Sequence, residues 1–275
     1  MLSEHVPSKV LFYMPHETQH FLPALAAIQS YVSCLIDRTR GHIAAELPAL
    51  HIIADQVHHY LLKCIDKAPV VVLSNYDFVP KRGVYDLVFN FDDLESIYSL
   101  AFATRTHITR IYGLMIGSTP ETVPDLSAIK LVGEDYVGLL ETPFQPELVA
   151  YLKSRYQAKT LLLDLPDQIS EVQFRIIETC QMFIGPQSGA TYVAASLGKK
   201  VVELVPGDRY PRWLSKFVCP SYFMIYGHAN LEQVIKGVDS LWESHSETLS
   251  STSMISYGQG IQTELTMSGA EVVDE

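Results

Sequence analysis

The strongest constraint on the fold is an alternation of short β-branched or aromatic runs with longer segments of helical spacing. Lys9 to Tyr13 (KVLFY), Val70 to Leu73 (VVVL), Asp86 to Phe91 (DLVFNF), Tyr136 to Leu140, Thr160 to Leu165 (TLLLDL), Met182 to Gly185, Lys200 to Val205 (KVVELV) and Tyr222 to Tyr226 have the length and composition of strands. Between them, Gln19 to about Ser33, Leu94 to Ala103, Pro146 to Tyr156, Glu171 to Cys180, the run opened by Ser188, and Asn230 to about Trp242 place apolar residues at helical spacing. Such βα alternation builds a parallel sheet with covering helices. The same reading predicts a helix over Ile43 to Ile65, broken near Pro48, and a strand from His107 to Met115 ending at Gly117.

The alternation loosens once. From Ser118 to about Leu131, STPETVPDLSAIKL carries two prolines and no sustained period, as a linker would. The expected fold is therefore α/β, with two Rossmann-like domains facing a cleft: residues 1–120, residues 121–244, and a polar acidic tail over 245–275. The tail has too few large apolar residues for a core of its own, so it is expected to stay flexible or to order on a protein partner.

With 31 acidic residues against 20 basic ones, the net charge of −11 lacks the basic footprint of a nucleic-acid binder. No window approaches the length of an apolar membrane span, and MLSEHVPSKVLFYMPHE does not read as a secretory signal. Cys34, Cys64, Cys180 and Cys219 are scattered without a Cys-x-x-Cys pair, which argues against a zinc knuckle and for reduced thiols in a cytoplasm. The adjacent His58 and His59 do not have the i,i+4 spacing of a shared metal on a helix, and no metal site is expected.

One junction is suited to an anion. In IGPQSGATYVAASLG, Gly185-Pro186 ends a buried strand, Ser188 stands at a helix N-cap, and Gly189 lets backbone come close to a ligand. The first-turn N–H groups of Gly189, Ala190, Thr191 and Tyr192 carry partial positive charge, favourable to a diphosphate. An ordinary capped helix after a strand would read the same way, and both readings stand on local physics alone.

IGPQSGATYVAASLGKKVVELVPGD resembles the donor-binding segment of the ADP-heptose:lipopolysaccharide heptosyltransferase family, with Gly189, Ala194, Ala195, Gly198, Lys199 and Val201-Val202 in register. The following DRYPRWLSKF is also similar to the catalytic region of repeat-containing protein glycosyltransferases. Near the N-terminus, KVLFYMPHETQHFLPALAAIQ resembles the family's first strand and loop: His20, Leu22, Pro23, Ala24 and Leu25 match, with Glu17 at the acidic position and His16 where glycine is usual. YDLVFNFDDLESIYSLAFATRTHITRIYG is a third, weaker match, and the three occur in the expected order.

The resemblance implies a GT-B glycosyltransferase that moves a sugar from a nucleotide diphosphate sugar to a saccharide or protein acceptor, with the donor as substrate and no resident cofactor or obligatory metal. It implies Glu17 as base, and His20 as a group that orients the loop or touches the acceptor. Gln187, Ser188, Gly189, Ala190, Thr191 and Tyr192 would line the donor, and Lys199, Arg209 or Arg212 would meet the phosphates. The chain departs from the pattern at Gln187, where the family has Asp, and at Tyr192, where it has His. GLLETPFQPE also lacks the family's basic residue, and the chain is shorter than typical members, with the missing length in its N-terminal half. The alternative from another class is a catalytically silent binding or assembly protein of the same fold.

Overall fold

The computed structural model describes residues 7–39, 47–120, 123–130, 136–205 and 221–243. The chain forms two parallel sheets. The first contains β1 (Lys9–Tyr13), β2 (Ala49–Ile53), β3 (Val70–Leu73) and β4 (Leu87–Asn90) in the order β3-β2-β1-β4. The second contains β5 (Tyr136–Leu140), β6 (Lys159–Leu163), β7 (Cys180–Pro186), β8 (Lys200–Val205) and β9 (Tyr222–Tyr226) in the order β6-β5-β7-β8-β9. All strand pairings are parallel. The strand order reverses between β1 and β4 in one sheet and between β5 and β7 in the other. The crevice beyond the carboxyl ends of strands at such a point is where open α/β sheets take their ligands.

The helices are α1 (Thr18–Thr39), α2 (Leu94–Thr104), α3 (Ile108–Ile116), α4 (Gln145–Tyr156), α5 (Glu171–Glu178), α6 (Gly189–Ser196) and α7 (Leu231–Glu243). Helices α4 and α7 cover one face of the second sheet, where Leu148, Leu152, Val234 and Leu241 pack on Val137, Leu139, Met182 and Val202. The other face packs through α5 and α6 onto α1 and α3. A single buried cluster therefore runs from Val10, Phe12 and Leu25 to Phe174, Ala190, Tyr192 and Val201. Its continuity explains the small-residue sequence of α6: every residue from Gly189 to Ala195 is buried, because the helix is wedged between its own sheet and α1.

Two expected elements are corrected. His107 to Met115 is not a strand but α3, because Ile108, Ile111, Tyr112 and Ile116 fall on one buried helical face. The His107 Nδ1 accepts the Thr109 N–H at 3.2 Å as an N-cap, and Gly117 ends the helix in the left-handed conformation at φ 69°. The helix expected over Ile43 to Ile65 is instead β2 followed by two 3-10 turns, Gln56–His58 and Leu61–Cys64; residues 43–46 lie outside the described residues. Leu50 and Ile52 point to the common core and Ile53 is buried on the opposite face, the period-two pattern of a strand paired with β1. No described helix is long and apolar enough to cross a membrane.

Three buried ionisable groups give the folded state a stability optimum in pH. Burial drives the His58 and His107 imidazoles down to about 4, against the weaker upward pull of Asp55 on His58. Burial also raises the Glu203 carboxyl to about 8, against a downward pull from its hydrogen bond with Tyr222. The histidines contribute stability that is complete above about pH 6.5 and lost as pH falls toward 4; Glu203 contributes stability that is complete below about 4.5 and lost as pH rises toward 8. Thermal unfolding followed across pH should peak near neutrality, and Glu203→Gln should flatten the decline between about pH 6.5 and 8. A decline unchanged in that variant would show that Glu203 is not its source.

Candidate active site

The loop after β1 runs from Met14 to Glu17 and enters α1. The Glu17 carbonyl accepts the N–H groups of His20 and Phe21, which starts the helix and turns the Glu17 side chain toward the carboxyl edge of the sheet. Its side chain is 44% exposed, Oε2 accepts from Gln19 Nε2 at 2.7 Å, and His20 Nε2 lies 3.2 Å from the same oxygen. The Gln19 donor holds Oε2 and leaves Oε1 to a ligand hydroxyl. His20 itself is only 7% exposed; burial lowers its basicity, opposed by the charges of Glu17 and Asp167. Nε2 bonds the Gln19 amide nitrogen at 3.4 Å and Nδ1 the Tyr98 hydroxyl of α2 at 3.2 Å, so both ring nitrogens are engaged within the protein.

The junction between β7 and α6 lies on the facing side. The Ser188 hydroxyl accepts the Thr191 N–H at 3.3 Å and its carbonyl accepts the Tyr192 N–H at 3.1 Å, so the first-turn N–H groups not used by the cap are those of Gly189 and Ala190. The Gln187 N–H donates to Leu204 across the strands, while its side-chain Oε1 is buried with no hydrogen-bond partner among the described residues. That leaves an acceptor available to a donor hydroxyl. Tyr192 does not face the junction: it is 5% exposed and its hydroxyl pairs with Thr109 Oγ1 of α3 at 3.2 Å.

The base loop and the junction meet at one seam. The Thr18 N–H donates to the Asp167 carbonyl at 3.1 Å, and the Thr18 hydroxyl accepts the Ile169 N–H at 2.8 Å while sharing a 2.9 Å bond with His58 Nε2. A methyl group built on Gly189 would lie 2.8 Å from the Asp167 carbonyl oxygen and 2.9 Å from Thr18 Cβ. The residue after Glu17 thus touches the first residue of α6. Beside the seam, His16 stacks on Tyr76, pairs with Asp55 at 2.8 Å and lies 3.7 Å from Asp92; Gln168 bonds both the His16 carbonyl and Asp55.

No protein-family model matches the chain, and no curated protein matches it in sequence. Solved structures do. The E. coli heptosyltransferase WaaC with ADP superposes with a TM-score of 0.58 at 12% identity, covering 85% of this chain and 99% of that one. The E. coli ADP-heptose lipopolysaccharide heptosyltransferase II gives 0.57 at 13% identity, over 86% and 99%. The iron-containing dodecameric glycosyltransferase TibC of enterotoxigenic E. coli gives 0.55 at 14% identity, over 86% and 77%. The chain has the GT-B fold of the heptosyltransferases.

Within this GT-B frame the sequence-predicted residues separate. Gly189 meets Thr18 and Gln19, the residues that follow Glu17, at the seam; Gln187 and Ser188 precede Gly189, and Ala190 and Thr191 are buried behind it. Lys199 does not: it follows the far end of α6, about 12 Å along the helix, and its buried ammonium donates to the Glu178 carbonyl at 2.7 Å. Its expected phosphate contact is corrected accordingly. Arg209 and Arg212 lie outside the described residues, as does the tail. Among the described residues no group of three or more His, Cys, Asp or Glu is placed to hold a metal ion. His58 and His59 turn apart, His58 to Thr18 and His59 to the Ala54 carbonyl. Sequence reasoning missed Thr18, Tyr98, Asp55 and the loop at Asp167, and Asp93 caps α2 by accepting the Ser96 N–H.

Gly189→Ala should destabilise the fold by about 1–3 kcal/mol, because the seam has no room for the added carbon. Chemical denaturation of the variant checks this. A midpoint equal to the native protein's would mean that the contact with Thr18 and Asp167 yields freely.

Proposed function

We propose that this protein is a glycosyltransferase that moves a sugar from a nucleotide diphosphate sugar to a hydroxyl of a saccharide or protein acceptor, working in the cytoplasm. The observation that carries the reading is the Glu17 carboxylate, held by Gln19 on one oxygen, next to Thr18, which packs against the capped N-terminus of α6 across the seam. In this reading residues 1–120 present the acceptor and residues 121–244 the donor.

Glu17 takes the acceptor hydroxyl proton on Oε1 as the acceptor oxygen bonds to the anomeric carbon. The bond from that carbon to the diphosphate breaks, and the leaving group departs with its negative charge. The Gly189 and Ala190 N–H groups and the dipole of α6 stabilise that charge. Gln187 accepts a hydroxyl of the transferred sugar where a carboxylate would have made a charged contact. Arg209 and Arg212, on the segment after β8, supply the cations that the first loop of the second sheet lacks. A diphosphate approaches α6 from the half-exposed Gln187 and Ser188, because Thr18 and Asp167 close the other side.

A thermal-shift panel of nucleotide diphosphate sugars tests donor binding. A true donor raises the melting temperature by mass action, with about 2.7 kcal/mol of added stability at a hundredfold excess over Kd. Glu17→Gln should keep that shift and lose transfer by a factor of about 10²–10⁴. Equal turnover by the variant would exclude Glu17 as the base, and a panel without any shift would remove the donor assignment.

A further inference from the structure

The geometry points to His16 Nε2 and Asp92 Oδ2 as the pair that selects the acceptor, taking neighbouring hydroxyls of an uncharged saccharide. The inference rests on the transfer reading above and narrows its acceptor from a saccharide or protein to a polyol without phosphate or carboxylate groups.

The pair stands at the ligand edge of the first sheet. His16 precedes Glu17 in the loop after β1, and Asp92 follows β4, the strand beside β1 where the strand order reverses. The His16 ring is clamped in place. It stacks on Tyr76, with centroids 4.1 Å apart and planes at 29°, and the Tyr76 hydroxyl donates to the Met14 carbonyl at 3.0 Å. Nδ1 bonds Asp55 Oδ2 at 2.8 Å, and Gln168 Nε2 donates at 3.1 Å both to that oxygen and to the His16 carbonyl. The Asp55 carboxylate only accepts, so Nδ1 carries a proton and Nε2 of the neutral ring offers a lone pair.

Nε2 lies 3.7 Å from Asp92 Oδ2, too far for a direct hydrogen bond, and the two side chains are 49% and 33% exposed. A gap of this size is one that an intervening hydroxyl spans. Two acceptors side by side call for two donors. Adjacent hydroxyls of a pyranose supply them together, and because a hydroxyl also accepts, the fit survives a second proton on the ring. A phosphate or carboxylate offers no donor and brings a like charge. Burial already raises the Asp92 carboxyl, opposed by His16 and reinforced by the charges of Asp55 and Asp93, so a further anion is disfavoured there. A serine or threonine acceptor has one hydroxyl, which Glu17 takes, and leaves the pair without donors.

The test is a titration of the full chain followed by NMR, with the His16 imidazole signals identified by their loss in His16→Phe, which keeps a ring on Tyr76 and removes both nitrogens. The probes are the methyl glycosides of glucose, galactose and mannose, then glucuronate, glucose 6-phosphate and a serine- and threonine-rich peptide. At least one methyl glycoside should shift the His16 signals, more strongly than the anionic sugars or the peptide do. Its affinity should weaken about tenfold in Asp92→Ala, and similarly in His16→Phe followed through the Asp92 amide, the loss expected for one hydrogen bond. With a donor in hand, Asp92→Ala should raise the acceptor KM and leave the donor KM unchanged. No shift with any neutral sugar, an equal or stronger response to an anion or the peptide, or native affinity in both variants would overturn the assignment. A nucleotide-sugar panel without any shift removes the transfer reading by itself, while the saccharide titration, which needs no donor, still decides whether His16 and Asp92 hold a sugar.

Discussion

The contact between the N-termini of α1 and α6 is the constraint from which the rest of the site follows. Thr18 spends its hydroxyl on the Ile169 N–H and on His58, and its backbone N–H on the Asp167 carbonyl, so one residue ties the first sheet's leading helix to the second sheet's connecting loop. Buried polar groups must be paired, and two of the three bonds that Thr18 makes cross the seam. Gly189 is what allows the approach: any side chain there would meet Thr18 or the Asp167 oxygen. Bringing these two helix ends together sets Glu17 beside the Ser188 cap, and the proposed chemistry depends on that adjacency.

Much of the architecture could be read from periodicity, because strands such as KVLFY and KVVELV are buried on both faces and stand out as short, mostly apolar runs. The two misread elements failed for a common reason. In HITRIYGLM the β-branched residues suggested a strand, but Ile108, Ile111 and Tyr112 fall at helical spacing, and tertiary burial of that face overrode propensity. In Ile43 to Ile65, ALHII is too short a run to stand out against the mixed polar sequence that follows it, and its pairing with β1 is a long-range event. The cap at Ser188 was legible because capping is local. The seam was not, since Thr18, Asp167 and His58 are far apart in sequence and belong to no motif.

The site departs from its resemblance in a physically coherent way. Where the related pattern has histidine, Tyr192 turns inward and bonds Thr109, and burial raises its phenol far above the ordinary range. Where the pattern has aspartate, Gln187 keeps an acceptor without the charge. The bonds that close the seam are made by backbone N–H and carbonyl groups, the Thr18 hydroxyl and the His58 imidazole, groups whose burial costs less than that of ions.

The wedged position of α6 carries a consequence for how the molecule comes apart. Its two faces belong to different sheets, and Ala190, Tyr192 and Val193 join the cluster that includes Leu25 and Tyr112. The cluster shared by the two halves couples them, so they should melt together rather than in two separate steps.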